Sequence, residues 1–232
     1  MPMGTFIHEP ALNMSLSNLR RFVLGLALPC LALMAADRAH AQDVPMCGGG
    51  GEIRHSSPTT GLEQPASAPA ELLALVEIPA GGTVKYELHL ESGRMEVDRF
   101  LSMPVAYPVN YGVLPCTLAE DGDLLDVLIL TREPVLPGAL IRVRPVALLR
   151  MLDRGEVDNK VLVVPVTAVD PAYGEIQGLG DVPRSVLDRI EAFFRVYKDL
   201  PDPDVSVEVG PWTGLDAALA EVQAALDAVS PR

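Results

Sequence analysis

The stretch Asp121-Gly122-Asp123-Leu124-Leu125-Asp126 runs directly into the apolar segment Val127-Leu128-Ile129-Leu130. A polar turn that opens into a short, uninterrupted apolar run is typical of a strand buried on both faces. The arrangement recurs downstream, where a polar loop at residues 153–160 precedes an apolar run at residues 161–166. We therefore predict two buried strands, each entered through a loop that carries acidic side chains.

The three carboxylates of the first loop lie very close together in the chain. At an effective dielectric constant of about 20, two unit charges about 4 Å apart repel by about 4 kcal/mol, so ionised aspartates here need a positive partner. Carboxylate oxygens without His or Cys favour a hard cation such as Mg²⁺. An EF-hand calcium loop would need Gly and Glu where Asp126 and Arg132 stand. The loop alone leaves a metal site and a simple aspartate-rich turn as alternatives.

Residues 84–90 alternate between apolar and polar side chains, which predicts a strand with Lys85 and Glu87 on the same face. Taken alone, this pair fits a solvated edge face. His89 lies on that face too, and we expect a surface role for it rather than a catalytic one. Other cationic and phenolic side chains accompany the acidic loops along the chain, and together with carboxylate-held metal ions they are the groups that a polyanionic phosphate needs.

Seven motifs, in order and in register, resemble the family I soluble inorganic pyrophosphatases over about residues 71–212. They are Glu77-Ile78-Pro79-Ala80, Lys85-Tyr86-Glu87, Asp98-Arg99-Phe100, Tyr107-Pro108-Val109-Asn110-Tyr111-Gly112, Asp121 to Asp126, Asp153 to Lys160, and Phe193-Phe194-Arg195-Val196-Tyr197-Lys198. The resemblance implies Mg²⁺-dependent hydrolysis of inorganic pyrophosphate to two orthophosphates, by a metal-activated water and without a covalent intermediate. Several Mg²⁺ ions per site are implied as cofactors.

The resemblance also implies a role for each matched residue. Asp121, Asp126 and Asp158 would hold the first metal, with Asp126 shared by the second, and Asp153 and Glu87 would hold further metals. Glu77 would support the metal site through water, and Tyr107 would pack beside it. Asp123 would orient and deprotonate the metal-bridging water. The groups expected to grip the phosphoryl groups are Lys85, Arg99, Tyr111, Lys160, Tyr197 and Lys198, of which Lys85, Arg99 and Tyr111 are also counted as catalytic.

Short strand patterns dominate the first two thirds of the matched region, separated by Gly and Pro turns. We predict strands at residues 73–78, 84–90, 95–98, 126–130, 140–149 and 161–166, followed by helices at residues 183–198 and 215–229. This is an α+β, mainly β pattern. The resemblance implies an OB-like closed five-stranded barrel with flanking strands and two C-terminal helices, assembled into a homo-oligomer, with a hexamer favoured.

The first 41 residues have the features of an export signal. Arg20 and Arg21 precede a 15-residue apolar stretch, which ends before the small-x-small sequence Ala39-His40-Ala41. We expect residues 1–41 to be a signal peptide, with translation starting at Met1 or at Met14, and residues 42–69 to be a flexible leader. The pyrophosphatase-like domain would span residues 70–232. Export predicts a bacterial periplasmic location, and a non-functional signal would leave the protein in the cytoplasm.

The formal net charge of −13 argues against partners that are nucleic acids or anionic membrane surfaces. The resemblance implies pyrophosphate as the partner, and we expect no stable membrane association. Cys47 and Cys116 would be able to pair in an oxidising compartment, and the sequence leaves their redox state open.

Two other functions also stay open. One is an exported phosphoanhydride hydrolase acting on polyphosphate or nucleotides, and the other is a non-catalytic barrel that binds metal or phosphate.

Overall fold

The computed structural model describes residues 62–89, 92–202 and 205–229, so the expected signal peptide and most of the expected leader lie outside the described residues. Within those ranges the chain forms nine strands and two α-helices. In chain order they are β1 (Leu72–Ile78), β2 (Val84–His89), β3 (Arg94–Phe100), β4 (Asn110–Val113), β5 (Asp126–Ile129), β6 (Leu140–Asp153), β7 (Glu156–Val157), β8 (Lys160–Pro165), α1 (Arg184–Val196), β9 (Val207–Thr213) and α2 (Leu215–Val229). The α+β, mainly β class is confirmed.

Seven of these strands share one sheet, which runs in the order β1, β4, β5, β8, β6, β7. Strand β9 pairs with β6. Strand β6 also pairs with β1, so the series of pairings that starts at β1 returns to β1. The β5–β8 pairing is parallel, with Val127 opposite Val161. Strands β2 and β3 form a separate antiparallel hairpin.

The strands of the main sheet send alternate side chains into two apolar clusters. Leu128 of β5 and Leu162 of β8 pack in the cluster that contains the buried side of α1. Their neighbours Val127 and Val161 pack in the second cluster, which includes Ala218, Val222 and Ala225 of α2. Each central strand is therefore covered on both faces, which explains why its sequence is continuously apolar.

Helix α1 depends on this packing. An isolated helix of 13 residues is marginal in water, because the cost of its first turn is not recovered over so short a length. Ile190, Phe193 and Phe194 are buried against the sheet, and full burial of side chains of this size contributes about 1.5–3 kcal/mol each. The helix thereby delivers the residues that follow Val196 to a fixed place beside the strands.

Strands β1 and β4 approach closely at Gly112. A Cβ atom on Gly112 would lie 2.0 Å from the carbonyl oxygen of Leu75, well inside van der Waals contact. The pairing of Val76 with Gly112 therefore requires a residue without a side chain. Because Tyr111 precedes Gly112, the same contact also fixes the position of that tyrosine.

Cys116 is disulfide-bonded, whereas Cys47 lies outside the described residues. The backbone of Cys116 has a positive φ of 60°. Among the described residues, none of the helices combines the length and the apolar character needed to cross a bilayer.

Candidate active site

The predicted site residues converge on one cleft of about 440 Å³. Its walls come from strands β1, β2, β4, β5 and β8, from the loop before β5, from the turn after β6 and from the end of α1. Every predicted site residue except Arg99 lines it. The lining set is Glu77, Lys85, Glu87, Tyr111, Asp121, Asp123, Asp126, Asp153, Asp158, Lys160, Tyr197 and Lys198.

The parallel pairing of β5 and β8 forms the floor of this cleft. Asp126 and Lys160 are the first residues of these two strands, so the pairing places them side by side. The Lys160 ammonium contacts a carboxylate oxygen of Asp126 and one of Asp158. Burial alone would lower the pKa of Lys160, but the two carboxylates outweigh it and raise this pKa above its ordinary value. Lys160 is therefore a permanently charged, 1% exposed cation at the base of the site.

The acidic loop before β5 holds its shape through local bonds. The backbone N–H of Asp123 donates to Asp121 Oδ1 at 3.1 Å, and Gly122 adopts a φ of 91°. Buried Leu125 anchors the loop, and its N–H donates to Thr117 Oγ1. This geometry leaves Asp121 and Asp123 exposed at the cleft wall.

Three acids of the cleft have pKa values above their ordinary range. Partial burial, followed by the charges of Asp121 and Asp126, raises the pKa of Asp123. Burial raises the pKa of Asp158 to about 6 even though Lys160 opposes the shift. The side chain of Glu77, 6% exposed, accepts a hydrogen bond from the N–H of Leu88 at 3.1 Å. Burial, reinforced by Asp126, raises the pKa of Glu77 to about 8.

Arg99 lies next to the cleft rather than in its lining. It pairs with Lys85 across the β2–β3 hairpin, and its Nη1 lies 2.6 Å from Asp98 Oδ2. The same oxygen of Asp98 lies 3.1 Å from the Lys85 ammonium, which also contacts Glu87. Asp98 thereby orients the Arg99 guanidinium beside Lys85, and the assignment of Arg99 to the phosphoryl groups stays a prediction.

Aromatic packing positions the phenols of the site. The ring of buried Tyr107 lies 5.5 Å from the ring of Tyr111 and 4.6 Å from that of Phe193 on α1. Phe193 in turn packs 5.1 Å from Tyr197. Burial raises the pKa values of all three tyrosines. The phenols therefore stay protonated and retain their O–H donors.

Asp153 provides a direct indication that the cleft fits a cation. One of its oxygens contacts the Lys198 ammonium, while the buried Oδ1 has no hydrogen-bond partner in the described part of the chain. A buried acceptor without a donor is costly, and a divalent cation would satisfy it. The other acidic side chains that line the cleft also offer carboxylate oxygens, the ligand type that Mg²⁺ prefers.

The described residues do not form a ready-made cage for that cation. Over residues 62–89, 92–202 and 205–229, no group of three or more acidic, His or Cys side chains is close enough to hold a metal ion. Instead, Asp126, Asp153 and Asp158 contact lysines. A bound cation would therefore share these carboxylates with the lysines or displace the lysines from them.

Two charged residues of the cleft were not predicted from the sequence. Arg154 and Glu156 line it, on the turn that leads from β6 into β7. The only sequence signal for them is that they lie between Asp153 and Asp158. His89, by contrast, is exposed at the end of β2, where its Nδ1 lies 2.9 Å from Ser92 Oγ. His89 is absent from the cleft lining, as expected.

Comparisons with known proteins agree with the motifs. The family model described as inorganic pyrophosphatase matches residues 74–230. The inorganic pyrophosphatase of Aquifex pyrophilus is 42% identical over 159 residues, which cover 68% of this chain and 89% of that relative. Among solved structures, the inorganic pyrophosphatase of Thermus thermophilus is 40% identical with a TM-score of 0.69, covering 72% of this chain and 96% of its own. The corresponding Coxiella burnetii structure is 44% identical with a TM-score of 0.67, covering 69% and 96%. The chain therefore belongs to the inorganic pyrophosphatase family.

Proposed function

We propose that this protein hydrolyses inorganic pyrophosphate to two orthophosphates in a Mg²⁺-dependent reaction. The observation that carries the proposal is the convergence of five aspartates and three lysines on one cleft, in a chain that matches the inorganic pyrophosphatase family over residues 74–230. The aspartate carboxylates can hold metal ions, and the lysine ammonium groups can bind phosphoryl oxygens. Together they suit a polyanionic substrate that binds with metal ions.

The carboxylates of the cleft are suited to hold divalent ions. We assign Asp121, Asp126 and Asp158 to the first ion, with Asp126 shared, and Asp153 and Glu87 to further ions. Glu77, whose pKa burial raises to about 8 in the metal-free fold, would support them through water. When bound, the ions supply a water of lowered pKa and positive charge for the phosphoryl oxygens.

Asp123 is assigned as the proton acceptor for the attacking water. It lies between Asp121 and Asp126 in the chain, and it makes no ion pair within the part of the chain that the structure describes. The raised pKa of its carboxyl makes it a stronger base at neutral pH than an ordinary aspartate. Water attacks one phosphorus, the proton passes to Asp123, and the bond to the bridging oxygen breaks.

The leaving phosphate gains negative charge as that bond breaks. The ammonium groups of Lys85, Lys160 and Lys198 and the protonated phenols of Tyr111 and Tyr197 would donate to the phosphoryl oxygens, and Arg99 would assist from beside Lys85. Fixed donors that face developing charge stabilise the transition state more than the ground state. No side chain needs to form a bond to phosphorus.

A phosphate-release assay tests the proposal. Purified protein lacking residues 1–41 would be given pyrophosphate, tripolyphosphate or ATP, with Mg²⁺ or with EDTA. We expect pyrophosphate to be the best substrate and EDTA to stop its hydrolysis. Preferred hydrolysis of tripolyphosphate or ATP would indicate a different phosphoanhydride hydrolase. Release from none of the three would indicate a non-catalytic barrel that binds metal or phosphate.

We infer that the circular order of pairings among β1, β4, β5, β8 and β6 is an OB-like closed five-stranded barrel. We also propose that the chain forms a homo-oligomer, with a hexamer favoured. The described surface exposes large apolar side chains, among them Phe100 at 70% and Leu136 at 78%, and assembly would bury such groups. Sedimentation velocity at micromolar concentration tests this, and a monomer would contradict it.

We propose export to the periplasm on the basis of the N-terminal sequence. Protein isolated from the native periplasm should begin at or near Gln42. Soluble cytoplasmic protein with an intact N-terminus at Met1 or Met14 would contradict the proposal.

A further inference from the structure

Arg154 occupies an unusual backbone position at the edge of the cleft. Strands β6 and β7 are joined by only two residues, Arg154 and Gly155, with Asp153 paired to Glu156. Both linking residues have positive φ angles, 53° and 85°, as in a type I′ hairpin turn. Such turns strongly prefer Asn, Asp or Gly at the first position. Among the described residues, Cys116 is the only other non-glycine residue with a positive φ.

The turn holds Arg154 at the outer part of the cleft. The N–H of Arg154 donates to the carbonyl oxygen of Ser206 at 2.9 Å, which ties the turn to the segment before β9. The residue is exposed, whereas Lys160 at the floor is buried. Arg154 nevertheless lines the same cleft as Asp153, Glu156 and Lys198. An arginine in a left-handed conformation is less favourable than the usual turn residues, so a functional reason for it is expected.

The guanidinium of Arg154 is also free of internal partners. In the described part of the chain, Lys85, Lys160 and Lys198 each contact carboxylates, whereas Arg154 forms no ion pair and no side-chain hydrogen bond. The planar guanidinium can bind two oxygens of one phosphoryl group at once. The groups assigned to the two phosphoryl groups of pyrophosphate do not include Arg154. Its position at the exposed rim suits an anion that extends outward from them.

We propose that Arg154 is a specificity-determining residue that binds the third phosphoryl group of a linear triphosphate. The inference rests on the proposed function, because it assumes that the inner donors bind the first two phosphoryl groups. The third group would belong either to inorganic triphosphate or to a nucleoside triphosphate. Arg154 would thereby extend the substrate range of a pyrophosphatase site without taking part in its chemistry.

The experiment compares the binding of non-hydrolysable analogues by calorimetry in Mg²⁺. The analogues are imidodiphosphate, diimidotriphosphate and β,γ-imido-ATP, in which N–H groups replace bridging oxygens. The variant Arg154→Asn removes the cation and installs a residue that the turn prefers. We expect it to weaken the binding of a triphosphate analogue by about tenfold or more, as loss of a charged hydrogen bond does. Imidodiphosphate binding should change by less than about threefold, because it has no third phosphoryl group for Arg154 to contact, and salt screens the exposed Arg154 charge from the two inner groups.

Two further variants make the result specific. Arg154→Lys keeps the charge and should recover part of the triphosphate affinity. Arg189→Gln removes another exposed arginine, on α1 and outside the cleft lining, and should leave the ratio of triphosphate to diphosphate affinity unchanged. An effect on diimidotriphosphate alone would assign the site to inorganic triphosphate. An effect that includes β,γ-imido-ATP would extend it to nucleotides.

The inference is overturned if Arg154→Asn changes the affinities for diphosphate and triphosphate analogues by the same factor, or changes neither. This readout does not depend on turnover. A protein that failed to release phosphate from pyrophosphate, yet showed the selective loss, would therefore contradict the proposed function and leave the assignment of Arg154 intact.

Discussion

Asp123 and Asp126 lie three residues apart and are assigned different roles, Asp123 as the proton acceptor and Asp126 as a metal ligand. Replacement Asp123→Asn keeps the size of the side chain but removes the basic carboxylate. General-base catalysis contributes about 10²- to 10⁴-fold, so turnover should fall by about that factor while Mg²⁺ affinity changes little. Asp126→Asn removes the carboxylate that we assign as the shared metal ligand, and it should weaken Mg²⁺ binding strongly. Calorimetric Mg²⁺ titration and phosphate release, measured on both variants, separate the two roles.

The control for these variants is Glu175→Gln. It removes one charge from an exposed residue outside the cleft lining, and neither measured quantity should change. Because Asp126 contacts buried Lys160, thermal melts should confirm that Asp126→Asn is folded. Equal and small losses of activity in the two aspartate variants would mean that the acidic loop is structural and that the assigned mechanism is wrong.

Glu77 should make the metal-free protein less stable as the pH rises. The carboxyl of Glu77 has a pKa of about 8 in the fold against 4.5 for the free group. Between these values the folded protein keeps a proton that the unfolded chain has lost, so unfolding becomes easier at higher pH, by up to about 1.4 kcal/mol per pH unit. Glu77→Gln cannot ionise and lacks this contribution.

Urea denaturation of both proteins in EDTA, at pH 5, 6, 7 and 8, measures this effect. The free energy of unfolding of the wild type, minus that of Glu77→Gln, should decrease steadily across the series. Taking this difference removes the contributions of all other titrating groups that the two proteins share. A constant difference from pH 5 to pH 8 would show that Glu77 is ionised throughout.

At the residue scale, the sequence was informative wherever a motif ties a side chain to an element. Asp126 and Lys160 are each the first residue of a buried strand, so their position follows once the two strands pair. Arg99 lies beside the cleft rather than in its lining, because the orientation of a long, partly exposed side chain depends on its neighbour Asp98. Arg154 was not found, because nothing in its local sequence shows that the turn bends back to the cleft.

At the scale of single elements, the contact between β1 and β4 gives a clear expectation. Gly112→Ala would place a methyl group 2.0 Å from the carbonyl oxygen of Leu75, so the two strands would have to separate. We expect a loss of about 3 kcal/mol or more. This corresponds to a decrease in Tm of about 6 to 12 °C for a domain of this size.

The matched control is Gly180→Ala. A Cβ atom on Gly180 meets nothing within 4 Å, so its Tm should stay close to that of the wild type. Differential scanning calorimetry of the three proteins in Mg²⁺ provides the measurement. If the Tm of Gly112→Ala equalled that of the wild type, the close approach of β1 and β4 would not exist in solution.

Long, periodic elements could be predicted and short, irregular ones could not. Helix α2 was predicted with its observed bounds, and α1 within two residues at each end. Six strands were found, although the pattern for β6 ended four residues too early. Three strands were missed. Strand β4 has four residues including Asn and Gly, β7 has two, and β9 is interrupted by Gly210 and Pro211. Their pairing is determined by distant partners, which a local pattern does not contain.

At the scale of the whole molecule, Mg²⁺ should act on stability as well as on activity. A ligand that binds only the folded state stabilises it, by about 2.7 kcal/mol at a concentration 100 times its Kd. For a domain of this size the Tm should rise by about 5 to 10 °C. Calcium should bind the same carboxylates and inhibit, because its looser coordination and weaker acidification of water suit this chemistry poorly.

Thermal melts and phosphate release in EDTA, Mg²⁺ and Ca²⁺ test this together. Asp126→Asn should lose most of the Mg²⁺-dependent rise in Tm, whereas Glu175→Gln should keep it. Phosphate release that continues unchanged in EDTA would show that the reaction does not use metal ions.

The alternation of β5 and β8 between two apolar clusters restricts how this protein can evolve. Asp126 is the first residue of β5 and Lys160 is the first residue of β8. The residues that follow them in each strand pack alternately into the two apolar clusters. Gain or loss of one residue within either strand would send every following side chain to the opposite face. Descendants of this chain can therefore change the floor of the cleft only by substituting residues, not by inserting or deleting them. New specificities can arise in the surrounding turns, such as the one that carries Arg154, which lies outside both apolar clusters.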